Sequence, residues 1–534
     1  MNRTVALTPF PPFLCPVSLL SDHCPTIPMY ALSLSIGTLA TLCDAYAWNY
    51  EPQELIGVCI LRWGLTSPAY PHYNVRIKKV MGEVVTCSVC LARVLPDLKN
   101  PTTRVPQTNQ KSHAMASEEV DASSPEVTMA FYRRLYPFKP IYNWLNQDHV
   151  PSRLITNREF ALTLQGDVYL RYNSFSNADE MKKEICRYNP TRFEIGPVYS
   201  ARPRDKKSLR PGAFVPTARE LVFDIDMTDY DSIRTCCTGK GICRRCWKFI
   251  AVAVKVLDRT LREDFGYKHL MWVYSGRRGI HLWISDKEAM ELTDDERRTI
   301  VQYIEVVKGG KDQVKKVNIR LPASGNSGPG SIHPALQKSL SILSDDFGDL
   351  ILSDQDVFAR PDAWQELLQL LPDKALVNDL QESWEGREVS SEAKWIELRK
   401  AISALKENRK AVMKAVIEDI VFQYSYPRID TEVSKHRNHL LKAPFCVHPS
   451  TGRVCVPVDP ARVDDFDPEA VPTIGGLLQE LNDASATQPG VEHHSDWENT
   501  SLKPYVEMLE RHTSAIMNDV RERKRGLANK SLDF

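Results

Sequence analysis

The chain has 534 residues and a formal net charge of zero, so no overall basic field marks it as a nucleic-acid-binding protein. Its 43% hydrophobic and 25% charged residues are ordinary for a soluble globular protein with several domains. The longest apolar stretch, Met29–Cys43, is too short and too rich in Ser and Thr for a membrane span, and we expect no membrane association. A local basic patch does occur, because Arg202–Arg210 carries five cations against one aspartate.

Residues 1–114 differ from the rest of the chain. They are rich in Pro and Cys and show no sustained helical or alternating pattern. At Met115 the composition changes to MASEEVDASSPEV, which is typical of a flexible N-terminus. We interpret residues 1–114 as an N-terminal extension that is disordered, a targeting segment or an over-extended gene model, and Met115 as a start in its own right. Cys87 and Cys90 have no visible partner pair and stay unassigned.

The predicted elements begin after Glu126. Aromatic and aliphatic residues recur there at helical intervals, which predicts helical structure ending near Asn146. Residues 158–175 predict two strands around a turn at 165–167, with Tyr169 and Arg171 on one face of the second strand. The sequence ELVFDIDMTDYD, residues 220–231, follows as a third strand.

A helix and a strand pair come next. The sequence KFIAVAVKVLDRTLREDFG has one apolar stripe at helical spacing, and Gly266 is expected to end it. Residues 269–285 predict two short strands around Gly276–Gly279.

The second half of the chain changes from helical to strand-like patterns. Residues 308–416 predict a helical subdomain, with a flexible insertion at Pro322–Ser331, between two catalytic parts at 115–307 and 417–483. Within the second part, QYSYPRIDTEV and APFCVHPSTGRVCVPV predict further strands, and the latter turns at Ser450–Gly452. Residues 484–534 predict a polar linker followed by a charged helix.

Two carboxylates, Asp224 and Asp226, end the predicted third strand. Alternate side chains of a strand share a face, so these two would point the same way about 7 Å apart. One interpretation is a site that holds two divalent metal ions about 4 Å apart for phosphoryl transfer. The other is the Asp-x-Asp-x-Thr nucleophile motif, with Thr228, of haloacid-dehalogenase-like phosphatases. Such a phosphatase needs a later acidic pair, and the candidate Asp464–Asp465 does not follow a convincing buried strand.

The sequence SGRRGIH, Ser275–His281, favours the metal interpretation. A tight turn between strands presents backbone N–H groups, the Ser275 hydroxyl and the guanidinium groups of Arg277 and Arg278, all of which suit phosphate oxygens. His281 can lie on the face next to the turn. A phosphatase has no use for so large an anion-binding group.

A second set of charged side chains follows the run VFQYSYPRI. Asp430 comes directly after this run, and His439, Lys442 and His448 lie shortly downstream. A third carboxylate close to cations and imidazoles would complete a nucleotide pocket.

Four of the thirteen cysteines crowd into CCTGKGICRRC, as Cys236, Cys237, Cys243 and Cys246. Four thiolates can form a tetrahedral zinc site, and a Cys-x₂-Cys turn lets two sulfurs reach one ion. Buried reduced cysteines rarely cluster in a Gly-rich polar loop, so we predict structural zinc at residues 236–246.

These motifs together resemble the catalytic small subunit of eukaryotic DNA primase, in the archaeo-eukaryotic primase family. The motifs FDIDMTDYD, the cysteine cluster, YSGRRGIHLWI, PRID and HLLKAPFCVHPSTGR occur in the family's order. The resemblance runs from about Phe131 to Asp483. It implies a mixed α/β (α+β) fold with mixed β-sheets flanked by helices, an inserted mainly helical subdomain and a zinc knuckle.

The resemblance also implies roles for individual residues. Asp224, Asp226 and Asp430 match the metal-binding triad, and Glu159 matches an acidic active-site position. The positions that match the nucleotide-binding residues are Tyr169, Arg171, Ser275, Arg277, Arg278, His281, His439, Lys442 and His448. None of these positions departs from the expected residue type.

The activity implied is DNA-templated synthesis of short RNA primers from ribonucleoside triphosphates, with Mg²⁺ or Mn²⁺ for catalysis and structural Zn²⁺. The implied partners are an iron–sulfur large subunit, the DNA polymerase alpha complex and single-stranded DNA, and the implied location is the nucleus. Three alternatives stay open: the phosphatase, a primase-polymerase that uses deoxynucleotides, and a non-catalytic zinc-containing nucleic-acid-binding subunit.

Overall fold

A computed structural model of the chain describes residues 124–308, 313–322, 329–487 and 495–532. The interpretation of residues 1–114, the start at Met115, the Cys87–Cys90 pair and most of the Pro322–Ser331 insertion fall outside the described residues. Within the described ranges, no helix combines the length and the apolar character needed to cross a membrane.

Helices make up most of the described secondary structure, and we number the helices and strands in chain order. The helices are α1 (Pro125–Arg134), α2 (Phe138–Asn146), α3 (Arg153–Thr156), α4 (Ala178–Tyr188), α5 (Arg244–Glu263), α6 (Lys287–Glu291), α7 (Asp294–Ile304), α8 (Pro334–Phe347), α9 (Pro361–Gln369), α10 (Lys374–Trp384), α11 (Ser391–Ser403), α12 (Glu407–Ser425), α13 (Thr431–Lys435), α14 (Ile474–Thr487) and α15 (Lys503–Leu532). The strands are β1 (Arg158–Thr163), β2 (Tyr169–Asn173), β3 (Arg192–Tyr199), β4 (Pro216–Ala218), β5 (Leu221–Asp226), β6 (Leu270–Tyr274), β7 (Gly279–Ile284), β8 (Leu441–Lys442) and β9 (Pro457–Val458).

The strands form two antiparallel sheets. The first has the order β2-β1-β3-β4, with β8 also paired to β3, and the second has the order β5-β7-β6-β9. Helix α5 contributes the largest buried helical stripe, because its small and β-branched residues from Phe249 to Leu261 are almost all buried. The mixed α/β (α+β) fold class predicted from the sequence is confirmed.

The predicted local elements of the first half are confirmed. Strands β1 and β2 flank a short 3₁₀ turn at Gln165–Asp167, and strands β6 and β7 flank the Gly276–Gly279 turn. The helical pattern before Asn146 is divided into α1 and α2 by the Pro137 region. Helix α5 ends at Glu263, and Gly266 follows with a φ of 75°.

Two strand predictions were wrong. The ELVFDID strand is not the third strand, because α4, β3 and β4 precede it and it belongs to the second sheet. The run before Asp430 is not a strand either, since α12 continues through VFQYS to Ser425 and α13 follows at Thr431. The pattern of aromatic and apolar residues is dense there because α12 is buried over its last two turns, which removes the helical periodicity.

The second half of the chain has the predicted kinds of secondary structure, but several elements begin or end at other residues than predicted. Helices α8 to α12 occupy the region predicted to be helical, and α15 occupies the predicted charged helix. Helix α14 continues past Asp483 to Thr487, so helical structure extends into the predicted linker. The run APFCVHPSTGRVCVPV forms the short strand β9, an isolated bridge from Val447 to Val454 around the predicted turn, and a second isolated bridge from Arg453 to Thr473.

A buried ion pair fastens the two sheets together. Arg158, at the start of β1, donates to both carboxylate oxygens of Glu220 at 2.7 and 2.8 Å, and both side chains are fully buried. Glu220 directly precedes β5. Arg219 adds a further bond to Glu220 at 3.1 Å. Removing one partner of such a pair leaves an uncompensated buried charge, so the pair holds β1 and β5 in a fixed relation.

The hairpin between β6 and β7 is packed against β5 at Gly279. A Cβ atom at this position would lie 2.4 Å from the carbonyl oxygen of Ile225, which is far inside contact distance. Gly276, in the turn itself, has a φ of 85°, a conformation that other residues adopt only with strain.

We predict that Gly279→Ala lowers the free energy of unfolding by about 1–3 kcal/mol, because the added methyl group must displace the backbone of β5. Gly348→Ala is the matched control, since its Cβ would meet nothing within 4 Å and its backbone is helical. Urea unfolding monitored by circular dichroism measures both. Equal unfolding midpoints for the two variants would contradict the close packing of this hairpin.

Candidate active site

Asp224 and Asp226 lie at the end of β5, and the neighbouring strand β7 determines which residues lie opposite them. Asp224 pairs with His281 and Asp226 with Gly279, the residue that opens β7. Directly opposed residues of antiparallel strands share a face, so the two carboxylates lie beside the β6–β7 hairpin. We call this hairpin the arginine hairpin, because its turn carries Arg277 and Arg278. Their strand neighbours are buried, whereas the side chains of Asp224 and Asp226 are 26% and 39% exposed.

Asp430 is brought to the same place by a backbone contact. Its N–H donates to the carbonyl oxygen of Asp224 at 2.9 Å. Its own carboxylate is exposed and accepts from the N–H of Glu432 at 3.0 Å, which makes it the N-cap of α13. Burial, with the negative charges of Asp226 and Asp430, raises the pKa of Asp224 to about 7. The three carboxyl groups therefore repel one another, as groups gathered to hold cations do.

The pKa of Asp226 is shifted in the opposite direction. Burial alone would raise its pKa, but hydrogen bonds from Arg278 and Thr228 lower it overall. Arg278 Nε lies 2.7 Å from Oδ1 and 3.1 Å from Oδ2, and Thr228 donates its N–H and its hydroxyl to Oδ1 at 2.8 Å each. Thr228 therefore fixes the Asp226 carboxylate.

The arginine hairpin closes a cavity of about 160 Å³ over these carboxylates. Residues from β5, the hairpin and the segment around β8 line it: Asp224, Asp226, Ser275, Arg277, Arg278, Gly279, His281, Lys442 and His448. Ser275 Oγ accepts from the N–H of Gly279 at 3.0 Å, and Lys442 Nζ donates to the Ser275 carbonyl at 2.5 Å. A wider groove of about 1160 Å³ begins at the same two aspartates and includes Asp430.

Two imidazoles of this cavity stay neutral near pH 7. Burial and the positive charge of Lys442 lower the pKa of His281 to about 3, and the same causes with Arg277 lower that of His448 to about 3. His281 Nε2 lies 3.6 Å from Asp224 Oδ1. Neutral imidazoles can donate or accept a hydrogen bond without adding charge. His439 does not line this cavity; its side chain is exposed, and its carbonyl accepts from Arg219.

Glu159, Tyr169 and Arg171 lie together in the first sheet. Glu159 is fully buried on β1 and accepts from Arg171 at 2.8 and 3.1 Å and from the Tyr199 hydroxyl at 3.0 Å. Tyr169 is 45% exposed, and its hydroxyl donates to the Glu194 carboxylate. Glu194 lies on β3 directly opposite Lys442 of the neighbouring strand β8. This group does not line the 160 Å³ cavity, and β8 joins it to the residues that do.

The four predicted zinc ligands are close together. The sulfur atoms of Cys236, Cys237, Cys243 and Cys246 all lie within 4.8 Å of one another, and those of Cys243 and Cys246 are 3.8 Å apart. A tetrahedral site with Zn–S bonds of about 2.3 Å separates its sulfurs by about 3.8 Å. The cluster can therefore hold a metal ion such as zinc.

Some supporting residues were not indicated by the sequence patterns. Thr451 donates its hydroxyl to the Gly276 carbonyl at 2.6 Å, and Cys455 Sγ donates to the Ser275 carbonyl at 3.2 Å. Both hold the hairpin from the segment that carries His448. In the sequence, only their position in the segment that carries His448 points to this role, and that position does not distinguish Thr451 and Cys455 from the residues beside them.

The acidic pair that a phosphatase would need is elsewhere. Asp464 and Asp465 lie in a 3₁₀ helix at Pro460–Asp465, where Asp464 is paired with Lys255 at 2.9 Å. Neither residue lines the 160 Å³ cavity or the groove beside it.

The chain is similar to known proteins over most of its length. Residues 223–460 match the family model described as DNA primase small subunit. The DNA primase small subunit of Schizosaccharomyces pombe is 48% identical over 374 residues, 69% of this chain and 80% of that protein. The one from Saccharomyces cerevisiae is 39% identical over 76% of this chain and 96% of that protein, and the one from Drosophila melanogaster is 39% identical over 70% and 87%.

The match extends to more distant proteins over a shorter stretch. The DNA primase small subunit PriS of Pyrobaculum aerophilum is 28% identical over 29% of this chain. High identity over nearly the full length of several relatives, together with the family model across the carboxylates and the hairpin, confirms the resemblance found in the sequence. This chain belongs to the DNA primase small subunit family.

Proposed function

We propose that this chain is a primase catalytic subunit that makes short RNA primers on a DNA template by two-metal nucleotidyl transfer. One observation carries the proposal: Asp224 and Asp226 share a small cavity with Arg277, Arg278 and Lys442. Metal-binding carboxylates beside a cluster of cations and backbone N–H groups suit a nucleoside triphosphate better than a neutral substrate.

The residues of the triad fit a divalent metal. Carboxylate oxygens are the ligands that Mg²⁺ and Mn²⁺ prefer. Burial, together with the negative charges of Asp226 and Asp430, raises the pKa of Asp224, and a bound cation would offset both effects. We assign Asp224, Asp226 and Asp430 as the groups that hold these ions. When bound, such ions would lower the pKa of the attacking 3′-hydroxyl and neutralise the charge of the pyrophosphate leaving group.

The cationic residues bind and orient the triphosphate. Arg277, Arg278 and Lys442 supply charge, and the Ser275 hydroxyl and neutral His281 and His448 supply hydrogen bonds. Positioning and charge stabilisation account for most of the catalysis in phosphoryl transfer, so these groups need no covalent chemistry. We propose that exposed His439 acts at the rim of the nucleotide site.

The nucleotide's other end would meet the first sheet. Tyr169 and Arg171 lie on its edge strand β2, and the Glu159 carboxylate is already occupied by Arg171 and Tyr199. We therefore propose that Glu159 acts by orienting Arg171 toward the nucleotide. A dedicated proton transfer from this buried, paired carboxylate is not needed.

The template would follow the basic segment Arg202–Arg210, next to β2. Lys206 Nζ lies 3.6 Å from the Tyr172 ring centre, and Phe214 stacks on Tyr199 at 3.9 Å. Exposed cations such as Lys206, Lys207 and Arg210 suit the phosphates of single-stranded nucleic acid, and the partly exposed rings of Tyr172 and Phe214 beside them would meet its bases.

The remaining proposals follow from family membership. We propose that the chain works with an iron–sulfur large subunit, joins the DNA polymerase alpha complex and acts in the nucleus. The four-cysteine loop would hold structural zinc. An assay with single-stranded DNA, labelled rNTPs or dNTPs and Mg²⁺ or Mn²⁺ tests the activity, and incorporation of dNTPs alone would contradict primer synthesis from ribonucleotides.

Asp224→Asn and Asp430→Asn should each reduce primer synthesis by about 1000-fold or more, because each removes a charged ligand without changing the shape of the side chain. Asp229→Asn is the matched control: it is a neighbouring acid outside the triad and should keep most of the activity. Gel analysis of labelled products measures all three. Near wild-type synthesis by Asp224→Asn would end the proposal.

The stability of the metal-free protein should depend on pH through Asp224. Its pKa of about 7 in the folded state exceeds the ordinary value, so the carboxyl group stays protonated to a higher pH in the folded state than in the unfolded state. Stability from this group is therefore present at low pH and is lost as the pH rises from about 4 to about 7.

Asp224→Asn should remove this loss. In the presence of EDTA at pH 8 the variant should be more stable than wild type by on the order of 2 kcal/mol, because raising a pKa by one unit is worth about 1.4 kcal/mol and solvent screens part of the repulsion. At pH 4 the two proteins should be equally stable. Urea unfolding at both pH values measures this, and a variant that is no more stable at pH 8 would contradict the raised pKa of Asp224.

A charge-removing triple variant tests the template surface. Replacing Lys206, Lys207 and Arg210 with Gln should weaken binding to single-stranded DNA and lower the slope of log affinity against log salt by about 2, since each phosphate contact contributes about 0.7. The control replaces Lys374, Lys400 and Lys414, which are exposed on the helical region, and changes the net charge equally. Fluorescence anisotropy measures both, and equal slopes would contradict this template path.

A further inference from the structure

The backbone of Gly239 connects the four-cysteine loop to the arginine hairpin. Gly239 lies between Cys237 and Cys243 in the sequence. Its carbonyl oxygen accepts from Arg278 Nη1 at 3.3 Å and from Arg234 Nη2 at 3.0 Å. Its N–H donates to Asp231 Oδ2 at 3.2 Å. One peptide of the loop therefore contacts a cation of the proposed triphosphate site.

Arg234 is the side chain that fixes this peptide. It is buried with only 1% of its surface exposed, and its Nε donates to Asp231 Oδ1 at 2.6 Å. Its Nη1 donates to the Gly241 carbonyl at 2.8 Å and lies 3.9 Å from Cys246 Sγ. A planar guanidinium can make these bonds in several directions at once, whereas an ammonium group cannot reproduce the fork.

Arg278 is held at both ends as a result. One end of its guanidinium lies on Asp226 and the other on the Gly239 carbonyl. Continuous contacts thus run from the Cys246 sulfur through Arg234, Gly239 and Arg278 to the Asp226 carboxylate. A long arginine side chain loses considerable rotamer freedom when it binds a ligand, and a contact that holds it beforehand lowers that cost.

We propose that Arg234 is a positioning residue for nucleotide binding: it fixes the Gly239 carbonyl, which holds the Arg278 guanidinium in place for a triphosphate. The four-cysteine loop then contributes to nucleotide affinity as well as to the fold. This inference rests on the proposed function, in which Arg278 binds the triphosphate. Arg234 itself is buried and bonded to Asp231 and to the loop backbone, so it is not placed to touch a substrate.

The test compares Arg234→Lys, Arg278→Lys and the double variant in the full-length chain. Lysine keeps the positive charge beside Asp231 and removes the fork that fixes Gly239. Arg234→Lys should raise the Kd for ATP, and the KM for NTPs, by about 3- to 10-fold, the size of one lost hydrogen bond. The kcat should change less than twofold, and zinc content by mass spectrometry should equal that of wild type.

The double variant separates positioning from a general loss of structure. If Arg234 acts through Arg278, the double variant should bind ATP no more weakly than Arg278→Lys alone, whereas independent effects would multiply. Arg245→Lys is the matched control, because Arg245 also lies within the cysteine cluster but pairs with Asp354. It should leave the Kd for ATP unchanged.

The possible outcomes are distinguishable. Multiplying effects in the double variant, or weakened ATP binding by Arg245→Lys as well, would overturn the positioning role. An unchanged Kd in Arg234→Lys with a raised Kd in Arg278→Lys would overturn it and leave the proposed function standing. An unchanged Kd in Arg278→Lys would contradict the proposed triphosphate site itself.

A second variant covers the case in which Arg234→Lys does not fold. Asp231→Asn keeps the side chain's size and weakens its bonds to both Arg234 and the Gly239 N–H. It should raise the Kd for ATP in the same direction with unchanged zinc content, and this rise should also vanish in the Arg278→Lys background. A rise that persists in that background would overturn the inference.

Discussion

The antiparallel pairing of β5 with β7 is the constraint on which the candidate site depends. It places Asp224 opposite His281 and Asp226 opposite Gly279, so two carboxylates and the arginine turn meet on one face. A slip of one residue would turn the aspartates to the other face of the sheet. The close approach of Gly279 to Ile225 opposes such a slip, because only a residue without a Cβ atom fits there.

This register places cations beside Asp226 but leaves the charge of Asp224 less compensated. Asp226 is compensated by Arg278 and Thr228, whereas Asp224 keeps a pKa of about 7 because burial, Asp226 and Asp430 all disfavour its charge. The site is therefore negative on the Asp224 side and positive along the hairpin. A metal–triphosphate complex has the complementary arrangement of charge, and a simple phosphate ester does not need both parts.

Sequence patterns predicted the parts of this site whose signals are local. The β6–β7 turn, the Asp224–Asp226 spacing and the cysteine cluster are each specified within about a dozen residues, and the structure contains all three. The strand proposed before Asp430 was wrong, because a helix buried on all sides loses its periodicity. Strand β3 was not predicted, and the pairing of β8 with it depends on residues more than 240 positions apart, which no local pattern reports.

Contacts between residues far apart in the sequence fix the position of one sheet relative to the other. Sheet one carries Tyr169 and Arg171, sheet two carries Asp224 and Asp226, and each sheet alone would hold half of the proposed nucleotide site. The buried Arg158–Glu220 pair joins them at one point, and Lys442, placed by β8 on sheet one, bonds the Ser275 carbonyl on sheet two at another. Two separated attachments resist both translation and rotation, so packing alone sets the distance between the proposed nucleotide-binding residues and the proposed metal-binding residues.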